Sequence, residues 1–178
     1  MPTIKLIMIK DINMEIRRIR KKYHKEFKAL IETVVEALPK KEWLITPTNE
    51  EIENVFENDA VDYWGVFENN KLLAISSLAF DEQDFLEILK LLKIENKKVA
   101  EIAECMTIPF ARGNNYMFKI NNELVKLAKD RGVEYLIATA HPDNIASNTS
   151  LKKLGMSLGG QFYRYGCYLR NYYFMKVV

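Results

Sequence analysis

Cysteine is scarce in this chain, and its two copies lie far apart. Cys105 and Cys167 form no CxxC pair and have no partner histidines. Neither a disulfide framework nor a zinc or other metal site is indicated. Long hydrophobic runs are missing as well, since no stretch approaches the roughly 18 apolar residues that a membrane span needs. The apolar patch near the start is broken by Lys5 and Lys10, so it does not read as a secretory signal. Repeats, low-complexity tracts and linkers are not found. These absences predict one domain over residues 1–178, a cytoplasmic location and no membrane partner. They also leave the Asn148-Thr149-Ser150 sequon without a secretory context.

With 178 residues, 48% of them apolar and 28% charged, the chain has the composition of a soluble globular protein with a sizeable core. Its net charge of +2 is unevenly spread. Residues 1–50 hold 11 basic and 7 acidic side chains, residues 51–104 hold 5 and 13, and residues 105–178 hold 10 and 4. An acidic middle beside a basic last third suits a cationic acceptor on one side and a phosphorylated donor on the other. Solvated surface charge gives the same distribution.

Apolar periodicity predicts the elements. Thr3–Ile9 reads as a strand, and Asp11 as the cap of a helix whose stripe runs from Ile12 through Ile16, Ile19, Tyr23, Phe27, Leu30, Ile31 and Val34 to Leu38. The basic residues Arg17, Arg18, Arg20, Lys21, Lys22, Lys25 and Lys28 fall mostly on its other face. They read as a solvated face rather than a nucleic-acid patch, because no aromatics are interleaved to stack bases. Thr48 and Glu51 form a capping box for a short helix ending near Asn58. Val61–Phe67 and Lys71–Phe80 read as a hairpin turning at Glu68-Asn69-Asn70, and Asp81–Ile94 as an inserted helix. Val99–Ile108 is a strand, Tyr116–Asp130 a helix closed at Gly132, and Val133–Ala140 a buried strand. Ala146–Leu154 is a short helix, and Leu158–Tyr165 with Tyr168–Val177 a final hairpin. The order predicts a mixed α/β (α+β) domain.

The junction from Ile108 to Met117 carries the most chemistry. A strand hands over to a helix through Arg112-Gly113-Asn114-Asn115. Unpaired first amides and the positive end of the helix dipole make a seat for phosphate, and Arg112 adds a fixed cation suited to a diphosphate. An ordinary strand–loop–helix connection has the same outline.

Two blocks carry a resemblance to a known family. Ile108-Pro109-Phe110-Ala111-Arg112-Gly113-Asn114-Asn115-Tyr116-Met117 is similar to a strand, a proline and an Arg-Gly-x-Gly-x-Gly pyrophosphate loop. His141-Pro142-Asp143-Asn144-Ile145-Ala146-Ser147, followed by Lys153-Leu154-Gly155-Met156, is similar to Asn-x-x-Ala/Ser and then Lys-Leu-Gly-Phe. In this order and spacing the chain resembles the GNAT superfamily of acyl-CoA-dependent N-acetyltransferases over nearly its whole length. The resemblance implies a splayed sheet of about seven strands flanked by helices, with the extra helix between the third and fourth strands. It implies acetyl-CoA as donor substrate between the fourth and fifth strands, and a small-molecule or peptide amine as acceptor. The backbone of Cys105, Met106 and Thr107 would pair with the pantetheine arm, and the amides from Gly113 through Asn114, Asn115 and Tyr116 to Met117 would take the pyrophosphate. Asn144 would hydrogen-bond the pantetheine, with Ser147 nearby.

The chain departs from that pattern in two places. Asn115 and Met117 stand where the loop has its second and third glycines, and Asn is the non-glycine residue most at ease with positive φ. Leu151 stands where many members carry a tyrosine general acid. Ser147, Ser150, Tyr163 or Tyr165 could donate the proton instead. A general base must deprotonate the acceptor ammonium, and Glu104 is favoured over Glu101, since the two point to opposite faces of a regular strand. Cys105 reads as a small core residue, and His24 and His141 as surface or capping residues. The alternative to a transferase is a GNAT-like module that binds acyl-CoA without turnover. The final hairpins and the apolar tail Tyr172–Val178 offer strand edges through which two copies could pair as a homodimer.

Overall fold

In the computed structural model, which describes residues 14–57 and 60–177, seven strands and five α-helices alternate along the chain. The strands are β1 (Met14–Arg18), β2 (Val61–Glu68), β3 (Lys71–Ala79), β4 (Val99–Thr107), β5 (Tyr135–Ala140), β6 (Ser157–Arg164) and β7 (Tyr168–Lys176). The helices are α1 (His24–Glu36), α2 (Asn49–Asn54), α3 (Leu86–Leu92), α4 (Tyr116–Asp130) and α5 (Ile145–Lys153). The strands form one mixed sheet in the order β1-β2-β3-β4-β5-β7-β6. Pairing is antiparallel throughout except between β4 and β5.

Much of this follows from local chemistry. Thr48 and Glu51 close a full capping box at α2, and Asn69 and Asn70 both take the positive φ that the β2–β3 turn demands. The helix expected over Asp81–Ile94 is a 3-10 turn, Glu82–Phe85, running into α3. Asp81 caps that turn by accepting from the Gln83 amide at 3.1 Å.

The first long helix is a correction. The expected strand Thr3–Ile9 and the cap Asp11 lie outside the described residues, but Met14–Arg18 is strand, and the helix begins only at His24. Backbone pairing decides this. The outer edge of β2 needs a partner, and β1 supplies it from Met14 opposite Glu68 to Arg18 opposite Trp64. The basic cluster is therefore split between a strand, a turn and a helix. Arg18 pairs with Asp62 and Lys21 with Glu57. Lys28 meets Glu53 at 2.7 Å, and Arg17 lies 4.1 Å above the Phe67 ring. The apolar tail lies within the sheet, β7 running between β5 and β6 with Tyr173 and Val177 buried.

The two sheet faces are covered differently. Phe27 of α1 packs edge-on against Tyr63, 4.9 Å between ring centres, and Phe85 and Ile88 share a cluster with Ile137 and Phe162. Ser76, on the other face, bonds Asn121 of α4 at 2.8 Å. Thus α1, α2 and α3 cover one face, and α4 and α5 the other.

Candidate active site

The parallel ladder between β4 and β5 is short. It runs from Val99 opposite Tyr135 to Ile102 opposite Ala138 and then stops, while β4 continues to Thr107. Beyond Ile102 the strands part, and among the described residues no strand lies against the edge of Ala103–Thr107 that would face β5. A cleft of about 890 Å³ occupies the gap and continues to the ends of α4, α5, β6 and β7. Its volume lies in the range of small-molecule sites.

At one end of the cleft stands the junction into α4. Pro109–Ala111 form a 3-10 turn, Gly113 takes φ +85, and Asn115, at φ +58, begins α4 without a side-chain cap. The helical ladder opens with a bond from the Lys119 amide to the Asn115 carbonyl at 3.0 Å. The amides of Tyr116, Met117 and Phe118 are the orphan donors of a helix start. A Cβ at Gly113 would meet nothing within 4 Å, so the space before the loop is open. Exposed Arg112 is steadied by a bond from its Nε to the Thr107 carbonyl, 3.4 Å long. Lys153 adds a second cation, 3.3 Å from the Asn115 side-chain oxygen. Lys153 was visible in sequence only as part of the Lys-Leu-Gly-Met run. Met117 packs against the main core, and the Tyr116 hydroxyl is turned away to Glu68. These donors and cations fit a diphosphate.

Glu104 lies deeper, on β4. It takes φ +50 and, with Cys105, forms a bulge opposite Ser76, between the pairs Ile75–Met106 and Ser77–Ala103. One extra residue reverses the alternation, so Glu104 shares the α1 face with Glu101 instead of opposing it. The expected opposition of these two carboxylates is thereby corrected. Ser77 Oγ donates to Glu104 at 3.3 Å, and the Tyr63 phenol hydrogen-bonds the same carboxylate. Burial pushes the Glu104 carboxyl above its ordinary value, with Glu101 and Glu51 adding like-charge pressure, against the opposing pull of the two hydroxyls. Burial raises the Tyr63 phenol well beyond its usual range too.

Glu101 has another occupation. Arg164 of β6 grips it through two nitrogens at 2.5 and 2.9 Å, and also donates to Thr139 Oγ1 and to the Asp84 carbonyl. It is a counterion, which leaves Glu104 as the carboxylate with hydroxyl partners only. Cys105 is turned to the α4 face beside Ser76 and Asn121, where burial raises its thiol.

The turn into α5 forms another wall. Asn144 accepts from the Ser147 amide at 3.1 Å and caps the helix, and both residues line the cleft. Buried Asn148 ties this turn down, donating to the carbonyls of His141, Pro142 and Asn144 and accepting from Asn171 and Tyr173. Its place in a sequon-like triplet gave no hint of that role. Leu151 is buried at the cleft wall, and of the final hairpin's tyrosines Tyr165 lines the cleft. His24 bonds the Ile52 carbonyl at 3.0 Å, and His141 Nδ1 accepts from the Asp143 amide at 3.1 Å. Among the described residues, no cluster of three or more His, Cys, Asp or Glu side chains is arranged to hold a metal, and no helix is long and apolar enough to cross a membrane.

A family model for the Acetyltransferase (GNAT) family matches residues 18–156. No curated protein sequence matches the chain significantly. Among solved structures, an N-acetyltransferase from Staphylococcus aureus Mu50 superposes with a TM-score of 0.73 at 17% identity, over 93% of this chain and 99% of its own. FeeM, an N-acyl amino acid synthase from uncultured soil microbes, gives 0.71 at 16% identity, over 94% and 92%. The yncA protein of Salmonella typhimurium, solved with its cofactor acetyl-CoA, gives 0.69 at 16%, over 93% and 95%. At such identities the likeness is one of fold.

Proposed function

Because the chain belongs to the GNAT acetyltransferase family, we propose that it transfers an acetyl group from acetyl-CoA directly to a primary amine of a small molecule or peptide. One observation carries this reading. A single cleft joins the uncapped amides of α4, flanked by Arg112 and Lys153, to a half-buried carboxylate on the bulge of β4. The amides of Gly113 to Met117 would hold the donor's pyrophosphate. The open edge of Cys105, Met106 and Thr107, with Asn144 and Ser147 opposite, would hold its pantetheine arm.

Glu104 acts as the base. A carboxyl raised by burial takes a proton from an ammonium more readily than an ordinary one. Once that proton is on Glu104, the amine nitrogen attacks the thioester carbonyl carbon. The C–N bond forms, the C–S bond breaks with its electron pair departing on sulfur, and the second proton that the nitrogen must shed passes to the departing thiolate or to solvent. A thiolate with a pKa near that of free cysteine is a fair leaving group without an acid, so Leu151 does not forbid turnover. Leu151 does favour a second reading, a module that binds acyl-CoA without transfer.

Calorimetry with acetyl-CoA and desulfo-CoA tests the seat, and thiol release across an amine panel separates enzyme from module. Binding in the micromolar range and thiol release are expected. No binding at millimolar ligand rules out both readings.

A further inference from the structure

Arg170 is a buried cation without an anion. It lies on β7, lines the cleft and is only 3% exposed. Its Nη1 donates to the neighbouring Leu169 carbonyl at 2.8 Å, its guanidinium sits 5.5 Å from the Tyr168 ring centre, and its Nη2 has no hydrogen-bond partner. Among the described residues no carboxylate is in ion-pair contact with it. Glu101, on this face, is held by Arg164. Burial and then the Arg164 charge push the Arg170 guanidinium below its ordinary value, against smaller opposing pulls from Tyr168, Cys167 and Glu42. A desolvated arginine left in this state is costly unless an anion completes it.

Its position relative to Glu104 says which anion. Extending the β4–β5 register beyond Ile102–Ala138 puts Glu104 level with Ala140. Asn171 lies opposite Ala140 on β7, so Arg170 stands one residue farther toward the open end than that level. Two strand spacings separate the backbones, roughly 10 Å before the splay, and both side chains lie on the α1 face. One small molecule can present its amine to the carboxylate and an anion to the guanidinium. Phe27, Ile31, Val34, Trp43 and Leu44 line the cleft on this side, and would receive an apolar side chain.

We infer that the acceptor is an amino acid with an apolar side chain, its free carboxylate bound by Arg170. The inference rests on the proposed transferase reading but concerns the acceptor alone. A planar guanidinium matches a carboxylate in two parallel hydrogen bonds, which a carboxamide cannot reproduce. A peptide amine, whose carboxylate is remote or amidated, is disfavoured by the same geometry.

The test compares acids with amides in two measurements. In the first, thiol release from acetyl-CoA is followed with phenylalanine, leucine and methionine, with their amides, with 2-phenylethylamine and with phosphoethanolamine. The free acids should exceed amides and amine at least tenfold in kcat/KM. Arg170→Met should raise KM for the acids tenfold or more with a smaller effect on the amides, and Arg170→Lys should recover part of the loss. In the second, calorimetry compares N-acetyl-phenylalanine with N-acetyl-phenylalaninamide, independently of turnover. The acid should bind the parent protein at least tenfold more tightly, and Arg170→Met should lose that difference while still melting cooperatively. Equal affinity of acid and amide overturns the proposal, as does a preference for phosphoethanolamine. If acetyl-CoA fails to bind, the transferase reading falls by itself, and the second measurement still decides the role of Arg170.

Discussion

The Ser77 hydroxyl lies 3.3 Å from the Glu104 carboxylate, although the register of the two strands places Ser77 opposite Ala103. The bulge at Glu104 makes this contact, and with it the candidate base. Glu104→Gln is expected to lower kcat by about 10²–10⁴-fold, the usual weight of a general base, with coenzyme A binding retained. In the parent, kcat/KM should climb with pH through the raised pKa, because the base must be deprotonated, and that limb should vanish in the variant. Undiminished turnover would remove Glu104 from the mechanism.

The same shift has a stability consequence. A carboxyl whose folded pKa lies above its unfolded value holds its proton more tightly in the folded state. Its stabilising contribution is complete below the ordinary carboxylate range and is lost as pH rises through the raised value. Glu104→Gln, which carries no charge at any pH, should therefore melt higher than the parent by a margin that grows from acidic to mildly alkaline pH. Melting curves at a series of pH values read this directly, and a margin that shrinks with pH would contradict the burial of Glu104.

Asn115 begins α4 in the left-handed region at φ +58. Asn115→Gly keeps that conformation accessible, whereas Asn115→Val meets a steric cost of about 1–2 kcal/mol there. Coenzyme A affinity, measured by calorimetry, should survive the first change and fall roughly tenfold with the second. Equal affinities would mean that the loop is not the diphosphate seat.

Asn148 makes three donor and two acceptor contacts in the interior. Asn148→Leu strands several of these partners at once and should cost about 3–5 kcal/mol in urea denaturation. A loss under about 1 kcal/mol would show that water replaces the side chain.

Glu101 and Arg164 are both nearly buried. Removing one partner leaves an uncompensated charge, so Glu101→Leu should lose about 3–5 kcal/mol. The double variant Glu101→Leu, Arg164→Leu should regain most of this, and a double-mutant cycle gives the coupling. Additive losses would argue against the pair.

Turns and caps were the legible parts of the fold. The Thr48–Glu51 box, the Asn69-Asn70 hairpin and the span of α4 follow from residues that act on their own backbone. From Met14 to Tyr23 helical spacing competes with a strand partner far along the chain, and only the open edge of β2 decides between them. The site was legible where it is local, as in the Arg112–Met117 loop. Glu104 carries no mark of its bulge, since nothing in the Ala103–Cys105 sequence announces a positive φ. Arg164, Arg170 and Asn148 acquire their meaning from partners in other elements, which no spacing along the chain records.

The short β4–β5 ladder divides the sheet into two leaves joined along a spine of four residue pairs, Val99 to Ile102 with Tyr135 to Ala138. β1 to β4 form one leaf, and β5, β7 and β6 the other. At the open end no main-chain bond fixes the distance between them, so side-chain packing across the leaves sets the gap. A group entering the gap would then be met by side chains that can repack without breaking a ladder. A substitution at the spine should change the width of the whole cleft, whereas one at the open end should change only its lining.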